Sequence, residues 1–130
     1  MKLRIVTPVR PIVDADVTDV VAPGSEGEFG VLPQHVNFLA SLKPGILTYT
    51  EGGARKRVVV SGGYVEVRQD VITVLADDAE FPEEVEGAKA RSDMATLTEE
   101  LARGTESAEA TAKLLRDLAL AEARVAVAER

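Results

Sequence analysis

Hydrophobic and polar positions alternate with a period of two along the first part of the chain. Leu3 and Ile5, then Val13, Ala15 and Val17, stand between charged or polar neighbours. Ile46, Leu47 and Tyr49, and then Val58 to Val60, continue the series. The clearest stretch is YVEVRQDVITVLA, residues 64–76, where two valine-rich runs flank Gln69-Asp70. A period of two belongs to a half-buried strand, and two such runs around a polar pair predict a tight hairpin. Pro23-Gly24, Pro44-Gly45, Gly52-Gly53 and Gly62-Gly63 read as turns between further strands. Many short strands with such punctuation predict an antiparallel sandwich or barrel over residues 1 to about 82.

From there the period lengthens. Proline and glycine nearly vanish, and Ala, Glu, Leu and Arg dominate residues 83–130. Pro82 with Glu83, Glu84 and Glu86 suits a helix start, because proline is tolerated in the first turn and acids complement the helix dipole. Ala90, Met94, Leu97 and Leu101 follow at helical spacing, and Gly104 after Arg103 reads as the stop. Thr105 is placed to cap a second helix, whose apolar stripe is Thr111, Leu114 or Leu115, Leu118, Ala121, Val125 and Ala128. So short a connection makes the two helices an antiparallel hairpin. The stripe is thin, with more alanines than large aliphatics, so it gains little from burial at ~25 cal/mol per Å². Two readings stand: a marginal appendage, or a detachable arm that can change partners.

Composition narrows the function. Of 130 residues, 45% are hydrophobic and only 4% aromatic, so the core is aliphatic. The net charge of −7 argues against a broad nucleic-acid surface or adhesion to anionic lipid. Charge does not separate the halves, which carry −3 (1–82) and −4 (83–130). The chain has no cysteine, which removes disulfides, thiol catalysis and thiolate metal sites. No apolar run approaches the ~20 residues of a membrane span, and MKLRIVTPVRP lacks a signal-peptide core. The expectation is a soluble protein kept in the cytoplasm.

Residues 24–37, GSEGEFGVLPQHVN, hold three glycines at a spacing of three and the only histidine, His35. A phosphate loop would need a lysine where this stretch has Glu26 and Glu28, and a dinucleotide loop another glycine spacing and a following helix. The glycines are read as positive-φ or crowded turn positions that present Glu28, Phe29 and His35 at a sandwich end. One histidine without cysteine leaves no nucleophile–base constellation, and no metal-ligand spacing is present. Lys113, Arg116 and Arg124 on the second helix read as a solvated face paired with Glu109, Asp117 or Glu122, or as a contact for an acidic partner.

GSEGEFGVLPQH, then LKPG at 42–45, SGGYVEV at 61–67 and VLADDAE at 74–80, resembles the epsilon subunit of F-type ATP synthases in order and spacing. The resemblance covers the whole chain, specifically in residues 1–80 and by pattern and length beyond. It implies an α+β protein: an N-terminal antiparallel β-sandwich of about ten strands (1–82) that docks on stalk and ring, and a C-terminal α-helical hairpin (83–130) as regulatory arm. It implies a non-catalytic central-stalk subunit that couples the gamma subunit to the c ring during proton-driven ATP synthesis. It would sit on the cytoplasmic face of the bacterial membrane, attached only through the complex. By motif position Glu28 matches the acid that meets the c ring, and His35 the histidine near gamma. Lys113, Arg116 and Arg124 resemble basic residues that approach the catalytic alpha and beta subunits and gamma when the hairpin extends and inhibits hydrolysis.

The chain departs from that pattern in two places. Val36-Asn37 stands where a proline is common two residues after the histidine. Some relatives bind regulatory ATP through [I/L]-D-x-x-R-A, and here the stretch is Val85-Glu86-Gly87-Ala88-Lys89-Ala90. Lysine cannot reproduce the planar fork of arginine, so Glu86 and Lys89 imply weak or absent ATP binding, and no cofactor is expected. The competing reading is a free-standing β-sandwich binding module with a dimerising helical tail.

Overall fold

The computed structural model describes residues 1–129. Ten strands come first: β1 (Lys2–Val6), β2 (Pro11–Asp16), β3 (Asp19–Gly24), β4 (Gly27–Val31), β5 (Phe38–Leu42), β6 (Gly45–Glu51), β7 (Ala54–Val60), β8 (Gly63–Arg68), β9 (Val71–Ala76) and β10 (Ala79–Glu80). A 3-10 turn (Pro82–Glu84) and two helices, α1 (Gly87–Arg103) and α2 (Ala108–Glu129), follow. The strand order is β10-β7-β6-β3-β5-β8-β9-β1-β2, with β4 also on β3. Every pairing is antiparallel except β1 with β9.

β3 is the corner of the sheet. Its first half pairs with β6, whereas its last residue, Gly24, meets β5 at Leu42. The sheet folds over there, and the two layers close on one core. Leu3, Ile5, Val65, Val67, Ile72 and Val74 line it from one layer, and Val20, Leu47, Tyr49, Val58 and Val60 from the other. Burial of Tyr49 raises its phenol pKa above the ordinary value. Gln69 and Asp70, both left-handed (φ 51° and 65°), make the tight turn between β8 and β9 that their sequence predicts.

The two outer faces differ. On β6 and β7, Ile46 and Val59 face outward and are covered by Leu120, Ala123 and Val127 of α2, with Val85 of the linker. Val59 and Val127 are fully buried there (1% and 0% exposed). On β5, β8 and β9 the outer face is bare, and Leu39, Tyr64 and Leu75 are 70%, 59% and 56% exposed.

The helical half departs from expectation at both helix starts. Pro82 opens only a 3-10 turn, because Glu84 folds back to Phe81 and Val85 is extended (φ −85°, ψ 126°). α1 therefore begins at Gly87 after Glu86. Thr105 does not cap α2; the Ser107 hydroxyl accepts from the Ala110 N–H at 3.0 Å, a helix-cap bond. Gly104 does end α1. The α2 stripe is also wider than one face: Ala121 and Val125 are buried as expected, but so are Ala123 and Val127. A helix wedged between a second helix and a sheet buries two sides.

Candidate functional site

The glycine-rich stretch is a β-hairpin rather than a loop. Pro23-Gly24 lies inside β3, and the turn falls on Ser25-Glu26. A Cβ on Gly24 would stand 2.6 Å from the Gly27 carbonyl and 2.8 Å from the Phe29 ring, and Gly27 has φ +132°. Gly30 is neither crowded nor left-handed, so the regular spacing has two causes and one coincidence. Phe29 turns into the sandwich and meets Phe38 edge to face at 5.4 Å. Glu28, the next residue along β4, is exposed opposite Pro23. The hairpin tip is tied to β5 and its end by Ser25 N–H to the Ser41 carbonyl (3.0 Å) and Lys43 N–H to the Pro23 carbonyl (2.9 Å).

His35 lies beyond the far end of β4. Its ring packs on Phe38 at 5.1 Å, and Nδ1 is 2.9 Å from the Val36 carbonyl. Glu28 and His35, expected at one sandwich end, therefore lie at the start of β4 and beyond its far end. Around His35 the loop exposes Leu32 and Val36 (64% and 74%). Leu39 follows on β5, and Tyr64 pairs directly with Leu75 across β8 and β9. This is an apolar sheet face with no covering element among the described residues.

The basic residues of α2 do different things. Lys113 pairs with Asp117 one turn on at 2.7 Å, and Arg116 is exposed. Arg124 does not pair along its own helix: its Nε donates to Glu80 Oε1 of β10 at 2.6 Å. Arg124, Glu80, Glu84, Glu86, Lys89 and Asp93 line a cleft of about 360 Å³ between the linker and the helices. Lys89 is held by Asp93 at 3.0 Å. Four carboxylates thus surround two cations that are already engaged, a poor receptor for a triphosphate. Of these, Glu84 takes the Phe81 N–H (2.9 Å) and both bonds of Arg10 Nη2 (2.9 and 2.8 Å). The Phe81 N–H and the Arg10 guanidinium hold the Glu84 carboxyl below the usual range.

Residues 1–82 match the family model described as the ATP synthase delta/epsilon chain, beta-sandwich domain. The ATP synthase epsilon chain of Syntrophobacter fumaroxidans is 42% identical over 130 residues, spanning 100% of this chain and 96% of that one. The chain belongs to the ATP synthase epsilon family. The epsilon chain of Pelotomaculum thermopropionicum is 45% identical over 104 residues, 80% of this chain and 78% of its own. Among solved structures, a chain of the Euglena gracilis mitochondrial ATP synthase (OSCP/F1/c-ring) superposes with a TM-score of 0.82 at 23% identity, covering 98% of this chain and 80% of that chain. A chain of the Tetrahymena thermophila mitochondrial ATP synthase central stalk and c ring gives 0.67 at 16% identity, with 95% of both covered. These likenesses show the shared fold.

As an epsilon chain the protein is a non-catalytic subunit of the rotary complex. Its chemistry is contact, and several contact residues escape a sequence reading. Glu80 ends the two-residue strand β10, and its partner Arg124 is 44 residues away. Arg10 and Glu84 are 74 residues apart. Leu39, Tyr64 and Leu75 did carry a signal: they are apolar at the outward phase of strands whose inward phase is already apolar.

Proposed function

We propose that the sandwich, residues 1–82, couples the gamma subunit to the c ring through separate surfaces, and that residues 83–130 form an arm that regulates ATP hydrolysis. The bare face of β5, β8 and β9 carries this reading. A soluble domain seldom leaves aligned large apolar side chains uncovered unless a partner covers them. Gamma is the partner assigned to that face, with His35 at its margin. Glu28, beside the hairpin tip, is assigned to the polar loops of the c ring. In the assembly the chain sits peripherally on the cytoplasmic face of the membrane; no described helix is long and apolar enough to cross it.

The docked arm is held by a small apolar cluster, Val59, Ala123 and Val127 with Ile46, Val85 and Leu120 packed on them, and by the Arg124–Glu80 pair. Burying a valine contributes about 1.5–3 kcal/mol, so docked and extended states can lie within reach of one another. In the extended state Lys113, Arg116 and Arg124 meet the catalytic subunits. Glu86 and Lys89 bind ATP weakly or not at all, since their cleft is acidic and its cations are engaged.

ATP hydrolysis and proton pumping of the reconstituted complex test the proposal. Glu28→Arg is expected to lower pumping per ATP hydrolysed while the isolated fold is kept. Deleting residues 83–130 is expected to preserve assembly and raise hydrolysis. Unchanged pumping removes Glu28 from the ring contact, and loss of assembly on deletion refutes the modular arm.

A further inference from the structure

The loop that carries His35 faces the β8–β9 turn, and each holds the other. The Asp70 carboxylate accepts the Gln34 N–H at 2.9 Å, and the Asn37 side-chain oxygen accepts the Gln69 N–H at 3.0 Å. The two bonds are reciprocal: each turn donates one backbone amide and supplies one side-chain acceptor. They span 36 and 32 residues of sequence, so neither is a local turn motif. Gln34, Gln69 and Asp70 all adopt left-handed backbone (φ 66°, 51° and 65°), which disfavours residues with a Cβ. A segment in that conformation relaxes unless its surroundings hold it. Within the loop, the backbone bond from His35 N–H to the Leu32 carbonyl closes only one turn. Asp70 and Asn37 are both exposed, so neither fills the core.

We infer that Asp70 and Asn37 are positioning residues, a reciprocal clamp that holds the 32–37 loop and His35 in the shape that meets gamma. The inference rests on the placement of His35 at the gamma contact proposed above. The clamp also accounts for Asn37 at this place in the loop. A short polar side chain with an acceptor oxygen ties the loop down from outside, whereas a proline would stiffen it from within.

The test uses the full chain and the purified gamma subunit of the same ATP synthase, with amide hydrogen exchange and binding affinity as readouts. Asp70→Gly removes the acceptor but keeps a residue at ease with positive φ, so the hairpin still forms. Asp70→Gly and Asn37→Ala are each expected to speed exchange at the freed Gln34 or Gln69 amide by about tenfold and to weaken gamma binding about fivefold. Asp70→Asn keeps the acceptor oxygen without the charge and is expected to restore both. Unchanged exchange overturns the clamp. The other Asp70 oxygen lies 3.7 Å from the Met1 ammonium, so failure of Asp70→Asn to restore affinity also overturns it, because the charge rather than the acceptor for Gln34 would then matter. Faster exchange with unchanged affinity overturns the link between loop shape and binding, and His35→Ala then separates the causes. If His35→Ala also leaves affinity unchanged, the gamma placement has failed; if it weakens binding, only the clamp has.

Discussion

Arg124 on α2 donates to Glu80 on β10 at 2.6 Å, with the two side chains 29% and 24% exposed. Among the described residues it is the ion pair that ties the second helix to the sandwich. Arg124 therefore has two uses: it holds the arm down here, and in the proposed extended state it meets another subunit. Glu80→Gln keeps the shape and removes the charge. An incompletely buried pair contributes about 1 kcal/mol, which is about a fivefold change in the docked population. Protease sensitivity of α2 in the isolated chain is expected to rise accordingly, with the effect shrinking at high salt. Equal sensitivity in both proteins would show that the pair does not hold the arm.

The apolar half of the same interface can be weakened separately. Val127 is fully buried against Val59. Val127→Ala removes two methyl-sized groups, a loss of about 1.5 kcal/mol. Since Val59 sits on the outer face and the main core lies beneath the strands, that loss is expected in hairpin docking and not in sandwich stability. Hydrogen exchange that rises in residues 108–129 while β1, β8 and β9 keep their protection would bear this out.

Much of this fold was legible in the sequence because the alternation of Val65, Val67, Ile72 and Val74 is a local signal with one interpretation. The α2 face was half legible. Ala121 and Val125 follow the helical period, whereas Ala123 and Val127 are buried because a sheet lies on the other side, which no helical period encodes. Pro82 does open a helical turn, but Glu84 folds back on Phe81 and Val85 is extended, so the helix starts only at Gly87. Among candidate site residues, Glu28 and His35 stand out through their motif, but their separation along β4 depends on whether residues 27–31 extend or turn. Three evenly spaced glycines look alike in sequence and differ in what surrounds them.

That difference is measurable. At Gly24 a Cβ would collide with the Gly27 carbonyl and the Phe29 ring, whereas at Gly30 the nearest atom is the Val20 carbonyl at 3.9 Å. Gly24→Ala is expected to destabilise the sandwich by about 1–3 kcal/mol, since overpacking must push Phe29 off Phe38. Gly30→Ala is expected to be neutral or slightly stabilising, because alanine loses less backbone freedom in a strand. Urea unfolding of the two variants checks both, and equal midpoints would overturn the distinction.

Glu84 supplies the pH dependence of the linker. Its folded pKa lies below the ordinary carboxylate value because the Phe81 N–H and the Arg10 guanidinium favour the charged form. The contribution is fully present above the unfolded pKa and is lost as pH falls through the folded one. Around neutral pH the linker is therefore pinned to the β1–β2 loop through Arg10, and acid releases it. In wild-type chain, exchange of the Phe81 amide is expected to lose protection, relative to neighbouring strand amides, as pH drops below the ordinary glutamate range. Glu84→Gln keeps an acceptor for the Phe81 N–H but not the charge that draws Arg10, so its protection should be lower at neutral pH and flat with acidification. A wild-type profile as flat as that of Glu84→Gln would mean that the linker is pinned by packing of Phe81 and Val85 and not by the carboxylate.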